Sequence, residues 1–123
     1  MMLHLERICL AAIFLVLPFP LLAQPPQRLS ELRARAEALE KKGDAHGSLA
    51  LWQKAAALSP NSVDMEDHIG FLLAVLNRRD EAIPHFERAL EIDSHYAPAH
   101  YHLGIAYLLQ QDPTRGIPHL QAA

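Results

Sequence analysis

Eight histidines in 123 residues are the first candidates for chemistry, because neutral imidazole is a common ligand for transition metals and changes charge near neutral pH. Two histidines on one helix can share a metal when they lie four residues apart, as in His-Glu-x-x-His. None of His4, His46, His68, His85, His95, His100, His102 and His119 has that spacing to another, and His100 and His102 point to different helix faces. The spacing therefore predicts no metal site and no cofactor. Asp93-Ser94-His95 holds the three residue types of a hydrolytic triad, but sequence neighbours diverge in direction and cannot form the hydrogen-bond relay, so the segment reads as a turn. There is no Gly-rich phosphate loop and no nucleophile elbow, and the single cysteine, Cys9, lies in the apolar N-terminal run. The residues predict a chain that is not an enzyme.

The elements that must carry these residues are set by a repeat. Ile83-Pro84-His85-Phe86 returns 34 residues later as Ile117-Pro118-His119-Leu120, preceded by Ala82 and Gly116 and followed by Ala89 and Ala123 at matching offsets. A period of this length belongs to stacked helix pairs, in which each unit buries its apolar face against its neighbours. His68 and His102 share one phase of the repeat, and His85 and His119 share another, which aligns them along the stack.

Apolar residues at three- and four-residue steps place six helices. The first carries Leu29, Leu32, Ala36 and Leu39 and ends near Gly43-Asp44; the second carries Leu49, Trp52, Ala55 and Leu58 and ends at Ser59-Pro60-Asn61. Ser62 or Asn61 is expected to cap the third, which carries Ile69, Leu72, Leu73 and Leu76. After Asn77-Arg78-Arg79-Asp80 the fourth runs to Ile92; the fifth covers residues 96–109, and the sixth covers residues 115–123. Pro84 and Pro118 are expected in or just beyond a first helical turn, with Asp80 and Thr114 near the caps.

The register resembles the tetratricopeptide repeat, an aromatic-rich pattern with Gly or Ala at fixed offsets. The third copy shows His100, Leu103-Gly104, Tyr107, Gly116 and Leu120; the second shows Glu66, Ile69-Gly70, Leu73, Ala82 and Phe86; the first, most divergent, shows Leu32, Arg35-Ala36, Leu39, Ser48, Trp52 and Pro60. The expected fold is all-α, a helical-hairpin solenoid of about three 34-residue repeats at 29–62, 63–96 and 97–123, the last incomplete. Ala36, Gly70 and Gly104 fall where paired helices press together, which offsets the cost of Gly in a helix, about 1 kcal/mol relative to Ala. Trp52, Phe86 and Leu120 supply the bulk beside them, with Ala55, Ala82, Ala89, Tyr107 and Gly116 in the same packing set. On this reading Gly70→Leu lowers the melting temperature, whereas Glu40→Ala, placed on the exposed face, barely does.

The resemblance, which is to the exported bacterial type of tetratricopeptide protein, implies a scaffold that binds an extended peptide or a partner helix. Its concave groove would take Arg33 and Glu37 from the first copy, Asp67 and Phe71 from the second, and Tyr101 and Ile105 from the third. Phe71 and Tyr101 are the anchors. The Lys and Asn residues with which some members clamp a terminal carboxylate are missing from these positions, which speaks against chaperone tails as partners.

Charge and composition bound the partners further. The net charge is −3 with both signs interspersed, half of the residues are hydrophobic and 7% are aromatic, so nucleic acid has no basic field to meet. Arg7 followed by the apolar run from Ile8 to Leu17, with Pro18 and Pro20 behind it, reads as a signal peptide over residues 1–23. The run is short of the roughly 20 residues that span a bilayer. Export to a periplasm or the exterior is expected, with no stable membrane span after cleavage; the alternative is an anchor left uncleaved. Residues 24–28, with Pro25 and Pro26, are expected to form an extended linker. The unfinished third repeat leaves Tyr107, Leu108 and Leu109 poorly covered, which predicts either self-association or an adaptor role at the N-terminus of a longer exported enzyme or assembly protein.

Overall fold

A computed structural model describes residues 25–123. They form six α-helices and no strand: α1 (Pro25–Lys41), α2 (Ala45–Leu58), α3 (Val63–Val75), α4 (Arg79–Ile92), α5 (Ala97–Leu109) and α6 (Pro113–Ala122). The proposed leader lies outside the described residues. No helix among those described is long and apolar enough to cross a membrane.

Each odd helix pairs with the next to make a hairpin, and the hairpins join through α2 against α3 and α4 against α5. The three hairpin turns share one backbone solution. Gly43, Asn77 and Gln111, 34 residues apart, all adopt positive φ, at 79°, 60° and 61°. The amide of the next residue then reaches back to the last turn of the preceding helix, Asp44 to the Leu39 carbonyl, Arg78 to Leu73 and Asp112 to Tyr107, in a Schellman closure. Asp44 and Asp112 also cap the following helices by accepting from the amides of Gly47 and Arg115. Arg78, at the same phase, has no such side-chain cap.

The packing follows the small-beside-large pattern. Ala36, Trp52, Ala55, Ala82, Phe86, Ala89 and Tyr107 are buried, together with Met65, Ile69, Leu72, Leu73 and Leu103. A Cβ added to Gly70 would come within 2.6 Å of the Phe86 ring, and one added to Gly104 within 2.7 Å of Leu120. At the α5–α6 contact the backbones themselves approach, since a Cβ on Gly116 would lie 2.9 Å from the Gly104 carbonyl oxygen.

Five local expectations need correcting. The extended linker is instead mostly the first turn of α1, which begins at Pro25, because a proline at the start of a helix lacks only an N–H that would have no partner there anyway. Pro84 and Pro118 lie two residues deeper than expected, at the sixth residue of α4 and of α6, and each forgoes an intrahelical bond. Ser62 stands at the N-cap position of α3, but its side chain makes no capping bond; its hydroxyl donates to the Asp64 carboxylate. Tyr107 is buried where poor cover was expected, because its hydroxyl donates to Glu87 and Arg115 lies over its ring at 4.3 Å. Leu108 and Leu109 remain open to solvent. The fifth correction concerns Glu40, which is built into the site.

Candidate functional site

The face built from α1, α3 and α5 carries two adjoining hollows. The first, about 450 Å³, lies between α1 and α3 and is lined by Arg33, Glu37, Glu40, Lys41, Trp52, Asp64, Asp67, His68 and Tyr96. The second, about 300 Å³, lies between α3 and α5 over α4 and is lined mainly by Phe71, Ala74, Phe86, Tyr101, His102, Ile105 and Leu109, with Arg79 among the few charged groups. The six groove residues expected from the sequence thus divide. Arg33, Glu37 and Asp67 belong to the polar hollow, and Phe71, Tyr101 and Ile105 to the apolar one.

Phe71 and Tyr101 are 41% and 54% exposed, which leaves large apolar rings open to a partner, whereas Asp67 is 7% exposed. Asp67 acts as a link between repeats, accepting from His102 Nδ1 at 2.8 Å. Arg33 donates to Asp64 at 2.7 Å and lies over the Trp52 ring at 5.6 Å, so it also ties one repeat to the next.

Glu40 is the centre of the polar hollow. Its Oε1 accepts from Ser48 Oγ at 2.8 Å and Trp52 Nε1 at 2.7 Å, and is 2.8 Å from His68 Nε2. One carboxylate therefore joins α1, α2 and α3. Burial alone would raise the Glu40 carboxyl, but the bonds from Trp52, His68 and Ser48 outweigh it and hold the group below the ordinary carboxylate value. Asp64 behaves alike: burial raises it, and the bond from Ser62 with the charge of Arg33 brings it below the usual value. The field of the hollow is negative. Tyr96 reports this, since burial, followed by the charges of Asp67, Asp64 and Asp93, pushes its hydroxyl above the ordinary value.

His68 and His102, which share a repeat phase, take the same place in successive interfaces. His68 packs on Trp52 with ring centroids 4.5 Å apart, and His102 packs on Phe86 at 5.3 Å. Phe71 stands between them, 6.3 Å from His68 and 5.5 Å from His102, so a continuous row of rings floors the groove. Sequence reasoning did not assign His68, His102 or Glu40 to the groove. The shared phase of the two histidines was the available signal, whereas nothing in the spacing marks Glu40.

The second phase, His85 and His119, also repeats as a contact. His85 Nδ1 lies 2.8 Å from Glu66 Oε2, and 34 residues on, His119 Nδ1 lies 3.0 Å from His100 Nδ1. Asp93, Ser94 and His95 form a turn with no triad geometry; the His95 amide donates to Asp93. No group of three or more His, Cys, Asp or Glu side chains among the described residues is arranged to hold a metal.

The stacked hairpins, the small residues in register and the groove on the odd helices agree with the comparison to known families. Residues 72–111 match the TPR repeat model. Over that stretch the chain matches the tetratricopeptide repeat, and the described residues share the fold of tetratricopeptide solenoids. Among solved tetratricopeptide structures, the second such domain of Spaghetti (RPAP3), bound to the HSP90 peptide SRMEEVD, superposes with a TM-score of 0.74 at 14% identity, covering 80% of this chain and 92% of that one. MamA superposes at 0.72 with 17% identity, covering 76% of this chain and 55% of its own. YrrB, described as a TPR protein with an unusual peptide-binding site, superposes at 0.71 with 23% identity over 76% of this chain and 48% of that one. At these identities the shared property is the tetratricopeptide fold. A probable UDP-N-acetylglucosamine-peptide N-acetylglucosaminyltransferase SPINDLY of Oryza sativa subsp. japonica is 46% identical over 39 residues, 32% of this chain. The chain spans 4% of the length of that curated relative.

Proposed function

We propose that this tetratricopeptide chain is an exported, non-catalytic interaction scaffold that binds a protein segment in its groove. The preferred segment is an extended peptide or helix pairing a cationic side chain with a large apolar one. The observation that carries this is the pairing of the two hollows: four carboxylates, from Glu37, Glu40, Asp64 and Asp67, face two cations, Arg33 and Lys41, in one, and exposed Phe71 and Tyr101 flank the other. Lys or Arg on the partner meets the negative field, while an apolar side chain covers the rings, the division of labour usual in peptide grooves. The solved relatives named with peptides support a peptide-sized occupant. The acidic field speaks against an acidic tail such as SRMEEVD here. Export rests on the composition of the N-terminal segment and is tested by N-terminal sequencing of the exported chain, where a protein still beginning at Met1 would remove it.

The binding test uses labelled peptides with Arg and Leu or Trp a few residues apart, against an acidic peptide of equal length. Basic-apolar peptides should bind and acidic ones should not, and Phe71→Ala and Tyr101→Ala should each weaken binding by about tenfold, the loss of one well-packed anchor. Equal binding of the acidic peptide, or no effect of either substitution, would overturn the assignment.

A further inference from the structure

We infer that the outer flank of α1 and α2 is a docking face for the surface of an anionic phospholipid bilayer, separate from the groove and independent of its occupant. Arg28 and Arg35 on α1, and Lys42 just past its end, follow one another at seven-residue steps, which sets them on one side of the helix. Lys54 joins them from α2. Arg28, Arg35 and Lys54 line one hollow of about 380 Å³, and Arg35 and Lys42 line a second of about 210 Å³ beside it.

The four cations are exposed, and none makes a hydrogen bond or an ion pair with another described residue. The repeat shows that this is particular to the first hairpin. Arg88, at the phase of Lys54, is held by Glu91 and Asn61, whereas Ala57 stands in the place of Glu91 here. Arg35 takes the phase of Ile69 and Leu103, which are 2% and 1% exposed in the core. An end face that needed only to be wetted would accept either sign of charge. The groove side of α1 does mix them, Arg33 and Lys41 with Glu37 and Glu40, but on the flank Glu31 is the sole carboxylate among the described residues of either lining.

The floor between the cations decides the occupant. Leu32 and Leu51 are half-buried there and Leu58 is 44% exposed, so each hollow offers apolar surface inside a cationic rim. A phospholipid matches both parts, with its phosphate on the rim and its glycerol and first acyl carbons on the leucines. Long Lys and Arg stems lie along such apolar surface while their charged ends reach the phosphates. Free phosphate and acidic protein segments meet the rim alone. The signs that alternate along the sequence are thus sorted by the fold, with acid toward the groove and base toward the flank. Each cation near an anionic bilayer strengthens binding by about fivefold, so four cations against Glu31 give a preference of about a hundredfold over a neutral surface.

The test is flotation of the full chain with vesicles of equal parts phosphatidylglycerol and phosphatidylcholine, and with vesicles of phosphatidylcholine alone. The apolar N-terminal segment meets both lipids, so the ratio between the two reads the charge. The mixed vesicles should bind about a hundredfold more tightly at low salt, and raising the salt should erase most of the difference. Arg35→Gln and Lys54→Gln should each cut the ratio about fivefold, while Arg88→Gln, the same change in net charge at the matching phase, should leave it as it is. All three are exposed positions, where such changes keep the fold. Equal binding to both vesicles, or an equal cut from Arg88→Gln, would overturn the inference. Soluble dihexanoylphosphatidylglycerol should also shift the methyl resonances of Leu51 and Leu58 in the unaltered chain. The same shifts from inorganic phosphate or from an acidic peptide would assign the face to anions at large and overturn the lipid assignment.

Discussion

Removal of the Glu40 carboxylate gives the sharpest test of how the groove is built. Glu40→Ala takes away one acceptor from three donors, Ser48 Oγ, Trp52 Nε1 and His68 Nε2. The three donors do not suffer equally. His68 keeps about a third of its side chain exposed and can turn to water. Ser48 is fully buried, but a helical serine can bond the carbonyl one turn back. Trp52 is 3% exposed, and its indole N–H, which can only donate, bonds to Glu40. A buried donor left without a partner costs about 1–3 kcal/mol, so the loss should total about 2–3 kcal/mol, mostly from Trp52. For a domain of this size that lowers the melting temperature by about 10–20 °C. Glu40→Gln keeps an oxygen acceptor while losing the charge, and should cost about 1 kcal/mol. The assay is urea denaturation followed by the fluorescence of Trp52, the sole tryptophan, with exposed Glu37→Ala as the control. Should Glu40→Ala fall within about 0.5 kcal/mol of that control, as an ordinary surface change would, the three-bond account is wrong.

Four further outcomes follow from the same structure. Gly70→Ala should destabilise by about 1–3 kcal/mol, because the new Cβ would stand 2.6 Å from the buried Phe86 ring; denaturation midpoints equal to the parent's would refute the close approach. Asp112→Ala should cost about 1 kcal/mol through the lost cap of α6, read as fraying in amide exchange of the last hairpin, and protection equal to the parent's would count against it. The protein should lose stability as pH falls through 6.5, the ordinary histidine value, because burial and then His100 depress His119, with Glu87 opposing, so the unfolded chain takes up the proton first; His119→Gln should flatten that part of the profile, and a melting temperature that rises on acidification there would refute it. At lower pH a second loss should follow as the depressed Glu40 and Asp64 carboxylates protonate in the folded state, and Glu40→Gln should remove its share.

The fold could be read from the sequence because helix pairing depends on residues at fixed offsets. Gly70 under Phe86 and Gly104 under Leu120 meet at the spacing the repeat sets, so periodicity alone finds them. The groove was legible only in part. Phe71, Tyr101 and Ile105 line it because their helices face it, but Asp67 is drawn inward by His102 in the next repeat, a partner 35 residues away. Glu40 looks solvent-facing by helical phase, and its long side chain then crosses to donors on α2 and α3. Helix starts were misjudged for a related reason, since Pro25 reads as a breaker by type and serves as a beginning by position.

The common turn geometry makes the molecule divisible. Gly43, Asn77 and Gln111 hold the same left-handed backbone state, and the interfaces on either side of the middle hairpin reuse one contact, Trp52 on His68 and Phe86 on His102. A segment cut between two equivalent turn residues therefore carries its own entry angle, exit angle and half of each interface. A duplicate of the stretch from Asp44 to Asn77, spliced in after Asn77, would keep the turn geometry but set its Ser48 and Trp52 against Ala74, at the phase of Glu40, so lengthening the groove by one hairpin also calls for a carboxylate at position 74.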